Sequence, residues 1–196
     1  MNWINSKIFN NLLIFSNYVI LSLIWIVCCL PLFTIFPSTI SMFAVIKRWK
    51  NGESDRIIAL FFEEFKKKIG QKFLINIILV SYLAVIELDV NRLIAVENNP
   101  VKIVIMFAML IMLAISVHIF NLFIHFDNIK TFVLFKNAFL IAILQIHWTL
   151  VGMFILLISI LLVYIFPLLV FCIGSFVAYL LILISDHALK KINYSF

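Results

Sequence analysis

The stretch "LLISILLVYIFPLLVFCIG", Leu156 to Gly174, decides the fold, because it is apolar on every face of a helix and carries no charge. It lies within a longer segment, residues 137–185, that contains no Asp, Glu, Lys or Arg. A helix needs about 20 mainly apolar residues to cross a bilayer, so this segment holds more than one crossing. It lacks the alternation of apolar and polar residues of a membrane β-barrel, and helices are therefore predicted.

The composition of the whole chain supports the same class. Of its 196 residues 65% are hydrophobic and only 12% are charged, whereas soluble domains carry roughly 25% charged residues. The net charge of +6 comes from basic residues that flank apolar segments, so nucleic acid is not an expected partner. The three cysteines lie inside apolar runs and suggest no disulfide framework. We expect one all-α integral membrane domain in contact with membrane lipid.

Breaks in the apolar runs predict five membrane spans, at about residues 17–36, 69–88, 103–124, 148–166 and 167–185. Pro31 should kink the first span and Pro37 should end it, while Pro167 separates the last two. A basic helical hairpin, residues 38–68, should lie along the membrane surface, as should interfacial helices at residues 1–16 and about 128–145. Most Lys and Arg residues then fall on one side, which places the N-terminus outside and the C-terminus in the cytoplasm.

The sequence contains no phosphate-binding loop, zinc-binding helix or nucleophile elbow. We therefore expect no enzymatic activity, no cofactor and no metal. The main polar group is His118, Asn121 and His125, which share one face of the third span. Such residues normally face protein or water. They could bind a ligand, a proton or a metal, with Asp127, Asp186 and His187 as further conceivable donors, or they could hydrogen-bond neighbouring helices.

Four segments in a fixed order carry a resemblance to a known family. They are "LPLFTIFPST" (30–39), "MFAVIKRWKNGES" (42–54), "FFEEFKKKIGQKF" (61–73) and "LFKNAFLIAI" (134–143). Together they resemble the YesL-like family of bacterial membrane proteins, whose signature is Leu-Pro-x-x-Thr-x-x-Pro, a short basic helix, Gly-Glu, and Phe-Phe-x-x-Phe-Lys. The matching positions are Leu30, Pro31, Thr34, Pro37, Gly52, Glu53, Phe61, Phe62, Phe65 and Lys66. Phe36 stands where that family usually has glycine.

The resemblance implies a protein of the bacterial plasma membrane, of a kind commonly encoded beside oligosaccharide-importing ABC systems. The hypothesis that follows is an accessory subunit that contacts the permease subunits of a carbohydrate ABC importer. The candidate contact residues are Pro31, Thr34, Pro37, Lys47, Arg48, Glu53, Phe61, Phe62, Phe65 and Lys66. The alternatives are an independent small-molecule transporter or channel that uses His118, Asn121 and His125, and, with less support, a membrane enzyme. Lys66 to Lys68 could attract anionic lipid or an acidic partner, or serve only as a topology signal, and a homo-oligomer stays open.

Overall fold

A computed structural model of the chain describes residues 7–52, 56–93, 100–126 and 129–191. These residues form eight α-helices, and no strand occurs among them. The helices are α1 (Lys7–Cys29), α2 (Ile35–Lys50), α3 (Ile57–Lys66), α4 (Ile69–Leu93), α5 (Pro100–His125), α6 (Thr131–Leu144), α7 (Ile146–Ile165) and α8 (Val170–Lys191). The predicted all-α class is confirmed.

Four segments of the described residues are long and apolar enough to cross a bilayer. They are Leu12–Cys29, Ile103–His125, Ile146–Ile165 and Pro167–Lys191. Many of their large apolar side chains are exposed, as on Ile103, Phe154 and Leu161, which a water-soluble protein would bury. Helix α4 adds a shorter apolar stretch, Ile69–Tyr82. The chain is therefore an all-α integral membrane protein.

The first helix breaks earlier than the sequence predicted. Helix α1 ends at Cys29, a short 3₁₀ turn covers Leu32–Thr34, and α2 begins at Ile35. Pro31 is extended, with φ −76° and ψ 125°, because its ring and its missing N–H do not allow the helix to continue. Pro37 was predicted to stop the helix, but it lies in the first turn of α2, where the N–H groups have no acceptor within the helix.

Polar side chains hold this break in place. The Thr34 hydroxyl lies 2.6 Å from the Cys28 carbonyl oxygen and 2.7 Å from that of Pro31, so it bonds carbonyls that the break frees from the helix. From α4, Asn76 accepts the Phe36 N–H at 3.0 Å and donates to the Leu32 carbonyl at 3.2 Å. The break is thus fixed by a residue 40 positions away from Phe36.

Helix α2 is an interior helix. Every residue from Phe36 to Ile46 is buried except Thr39, and α2 contacts α1, α3, α4, α5 and α8. The prediction that both helices of the 38–68 hairpin lie along a surface is therefore wrong for α2. Its buried apolar residues surround the helix, and Phe36 packs against both Phe120 and Phe123 of α5.

Helix α1 runs antiparallel to α8. Tyr18 contacts Tyr179, the Ser22 and Ser175 hydroxyls are 2.8 Å apart, and Trp25 lies beside Gly174. The start of α1 and the end of α8 therefore lie at the same end of the bundle. Five alternating spans would make the first and last parallel, so the predicted placement of the termini on opposite sides does not fit this arrangement. The reason is α2, which carries the chain back along α1.

One of the two predicted interfacial helices differs from expectation, and the other is present as a helix. Residues 7–16 are the first turns of α1 rather than a separate helix, and residues 1–6 lie outside the described parts. The predicted helix at about 128–145 is α6, which buries Leu134, Ala138 and Ile141 in the core and leaves other apolar side chains exposed.

Candidate functional site at one end of the bundle

His118 lies in a closed contact between three helices. Its ring nitrogens are 3.3 Å from the Ser185 hydroxyl of α8 and 3.0 Å from the Thr149 hydroxyl of α7. The Thr149 hydroxyl in turn lies 3.1 Å from the carbonyl oxygens of Ala142 and Gln145. All three side chains are buried. This geometry fits interhelical hydrogen bonding, one of the two readings that the sequence left open.

Asn121 and His125 lead from this contact to the charged end of the bundle. The Asn121 amide donates to Asp186 at 2.8 Å, and the other oxygen of Asp186 accepts a bond from Lys50 at 2.6 Å. Lys47 lies 3.0 Å from Nδ1 of His125. Burial lowers the pKa of the Lys47 ammonium, and the Asp186 carboxylate partly opposes that shift. The three predicted polar residues thus contact different partners and do not converge on one point.

Nothing in the described residues gathers three or more His, Cys, Asp or Glu side chains as a metal site would. Asp186 is engaged by Lys50 and Asn121, and the ring of His187 stacks on Trp148. Asp127, the other conceivable donor, lies outside the described residues. His118, Asn121 and His125 make the structural contacts described above.

Helices α2 and α3 are joined by ion pairs. Arg48 lies 2.9 Å from a carboxylate oxygen of Glu63 and 2.7 Å from one of Glu64. Glu64 is buried, and its main-chain oxygen accepts a hydrogen bond from the Lys72 ammonium. Lys68 turns the chain from α3 into α4 with a left-handed φ of +53°, and its ammonium lies 5.9 Å from the centre of the Phe123 ring.

These residues surround an open cavity of about 210 Å³ between α2, α4, α5 and the α3–α4 turn. We call it the basic pocket. Its polar lining consists of Lys47, Arg48, Asn51, Glu64, Lys67, Lys68 and Lys72. Lys72 is 1% exposed, while Lys67 lies at the surface. The lining of the basic pocket thus holds five basic side chains and one carboxylate among the described residues.

The predicted contact residues that the structure describes lie in four different places. Pro31, Thr34 and Pro37 form the helix break, and Thr34 and Pro37 are buried there. Lys47 and Arg48 line the basic pocket, and Phe61 is buried in the core. Phe62 and Lys66 are exposed on the outer face of α3, where Phe65 is half-buried. Glu53 lies outside the described residues. Their roles in partner contact stay predictions.

Sequence reasoning missed the residues that complete these contacts. Thr149, Ser185 and Asn76 were single polar groups in apolar runs, with nothing to show their partners. Lys72 was one lysine in a basic stretch. The available signal was its position one turn into a helix with apolar neighbours, which indicates burial.

The fold and this charged end define the class: an all-helical integral membrane protein with a basic pocket at one end of its bundle. A family model described as a protein of unknown function, DUF624, matches residues 18–90. The chain is also 29% identical over 112 residues to a Bacillus subtilis (strain 168) protein named "Uncharacterized protein YesL". That alignment covers 55% of this chain and 53% of the relative, so the chain spans about half the relative's length. No solved structure matches.

Both matches support membership of the YesL-like family, which the motifs predicted. The match at residues 18–90 covers most of α1, the helix break, α2, α3 and most of α4. It therefore includes Lys67, Lys68 and Lys72, together with the α2 side of the basic pocket. The bacterial plasma membrane follows from the bacterial relative and the apolar helices.

Proposed function

We propose that the chain is an accessory membrane subunit of a bacterial carbohydrate ABC importer, where it assists the assembly, stability or regulation of the permease. The family resemblance motivates this proposal. The observation that carries it is the exposed face of α3. Ile58, Phe62 and Lys66 stand at four-residue spacing on that face, and the first two side chains are 56% and 44% exposed. Apolar side chains beside a cation are typical of a surface that contacts another protein or a membrane.

A second observation favours a subunit over a transporter. A solute pathway needs polar groups that face water or substrate, but His118 and Asn121 are buried and make hydrogen bonds to other helices. Asn121 has one side-chain oxygen, Oδ1, without a hydrogen-bond partner among the described residues. The transporter alternative therefore predicts that this oxygen contacts the solute.

Co-purification tests the subunit proposal. A C-terminally tagged chain, expressed at its native level, is recovered from native membranes in mild detergent and its partners are identified by mass spectrometry. We expect a sugar permease pair in stoichiometric amounts. The double variant F62E/K66E should recover much less permease, while K190E/K191E, which reverses two charges at the end of α8, should match the wild type. Recovery of the wild-type chain alone would contradict the proposal.

The transporter alternative makes a different prediction. The purified chain alone would move a solute across a liposome membrane, and N121L would abolish that movement. If flux is absent, or if it persists unchanged in N121L, the alternative fails.

We also propose that the chain is not an enzyme. His118 lies near the hydroxyls of Thr149 and Ser185, as a general base lies near a nucleophile. All three side chains are buried, which leaves no access for a substrate. S185A should therefore leave permease recovery unchanged, and a loss of a measurable hydrolytic activity in S185A would contradict this view.

A further inference from the structure

Basic side chains outnumber acidic ones in the lining of the basic pocket. Five basic side chains and one carboxylate of the described residues line it, namely Lys47, Arg48, Lys67, Lys68 and Lys72 against Glu64. Beside the pocket, Glu63 pairs with Arg48, and Lys50 pairs with Asp186. A concave surface with this imbalance attracts anions.

Lys72 is the residue that a simple surface charge does not explain. It is 1% exposed, and its ammonium donates one hydrogen bond, to the main-chain oxygen of Glu64. No carboxylate oxygen of a described residue lies within 4 Å of it, and the Glu64 carboxylate is held by Arg48. An ammonium has three N–H donors, so this buried cation has donors to spare at the edge of an open cavity. Burial of such a charge is costly unless a counter-charge approaches it.

The basic residues of the pocket lie near helix ends, where the helix dipole acts on their charges. Lys47 and Arg48 lie in the last turn of α2, where cations complement the helix dipole and need no ligand. Lys68 and Lys72 are the opposite case, because they lie just before and within the first turn of α4, whose N-terminal end is itself partly positive, whereas Lys67 is the C-cap of α3. The dipole at the start of α4 does not favour cations, and a helix N-terminus offers N–H groups to an anion.

The left-handed backbone at Lys68 is a further sign that the turn is held in place. A φ of +53° is uncommon and unfavourable for a residue other than glycine. The turn brings Lys67, Lys68 and Lys72 to the same cavity, with the Lys68 ammonium against the Phe123 ring. Lys66, one residue earlier, is exposed on α3 and does not line the cavity.

We propose that the basic pocket is a binding site for a phosphate-bearing anion, either free inorganic phosphate or the phosphodiester headgroup of an anionic lipid. Lys47, Lys67 and Lys68 would contact its oxygens from two sides, and the spare donors of Lys72 would reach it from the inner wall. Charge-assisted hydrogen bonds of this kind are the strong ones, and several cations around one cavity suit a group with several acceptor oxygens.

Calorimetric titration of the delipidated chain in a neutral detergent tests the site. One arm uses inorganic phosphate, and the other uses dioctanoyl phosphatidylglycerol, with dioctanoyl phosphatidylcholine as the zwitterionic comparison. We expect saturable binding in at least one arm, and Kd should rise by about tenfold in K47Q/K68Q, as expected for the loss of charge-assisted bonds. The matched control K66Q/K136Q removes two exposed lysines that do not line the pocket and should change Kd less than twofold.

K67Q provides a second test that does not depend on buried residues, since Lys67 is exposed and its replacement should leave the fold intact. It should weaken binding about threefold to fivefold, as for one surface contact. Binding of phosphate alone identifies a free-anion site, and binding of phosphatidylglycerol alone identifies a headgroup site. The proposal is overturned if neither arm saturates, or if K66Q/K136Q weakens binding as much as K47Q/K68Q. Neither outcome bears on permease recovery, so the anion-site proposal can fail while the subunit proposal stands.

Discussion

Replacement of Asn76 by Leu tests how the chain holds its proline break. Asn76 is 4% exposed, and its side chain accepts the Phe36 N–H and donates to the Leu32 carbonyl. Leucine has a similar shape but can make neither bond. The N76L variant therefore isolates the hydrogen bonds that tie the start of α2 to α4.

The expected cost follows from the two bonds. The Phe36 N–H belongs to the first turn of α2, where it has no acceptor within the helix, and leaving a buried donor unpaired costs about 1–3 kcal/mol. The hydrogen bond to the Leu32 carbonyl is longer, at 3.2 Å, and Leu32 is 71% exposed. Losing this bond should therefore add little to the cost. Side-chain hydrogen bonds between membrane helices average only about 0.6 kcal/mol, because unfolded helices find other partners. The Phe36 donor has fewer such partners, and we expect a loss of about 2 kcal/mol.

The assay is reversible unfolding in mixed dodecyl maltoside and SDS micelles, followed by far-UV circular dichroism. S81A is the matched control on α4, because the Ser81 hydroxyl is exposed and bonds only the Ile78 carbonyl of its own helix. It should cost less than about 0.5 kcal/mol. If N76L is as stable as S81A, Asn76 does not hold the break and our account of it is incorrect.

Three further predictions concern the packing and direction of the helices. A Cβ on Gly152 would lie 2.5 Å from a methyl carbon of Val117, so G152A should cost about 1–3 kcal/mol, and V117A should recover part of that loss in a double-mutant cycle; additive effects would contradict the contact. H118L leaves the Ser185 and Thr149 hydroxyls without the ring and should cost about 1–2 kcal/mol in the same micelle assay, whereas unchanged stability would contradict the network. Because α1 and α8 are antiparallel, reporters fused to the two termini should be accessible from the same side of the membrane; opposite sides would contradict this packing.

Much of the fold could be predicted because lipid imposes a simple rule on sequence. A segment that crosses the bilayer must be apolar along about 20 residues, and Ile103–His125 and Pro167–Lys191 display this directly. Proline also acts locally, so a break near Pro31 followed from its missing N–H. The predicted end of the first helix was several residues too late, because the sequence did not show which of the two prolines would begin the next helix.

The burial of α2 could not be predicted in the same way. Residues 40–50 read as a short apolar segment followed by basic residues, which suits a surface helix as well as an interior one. The contacts that decide the matter join distant positions: Lys50 reaches Asp186, 136 residues later, and Ser22 reaches Ser175 across 153 residues. A periodic pattern specifies which residues share a face, but it does not specify what covers that face.

The two proposals use opposite faces of α3 and can therefore be separated. Glu64 faces the interior and holds Arg48 beside the basic pocket, whereas Phe62 and Lys66 face outward. A lysine that served only as a topology signal would act equally well at the surface, so the burial of Lys72 needs another cause. An anion in the pocket provides that cause without involving the outer face. A permease on the outer face would leave the pocket open, and each set of variants should then affect its own readout and not the other.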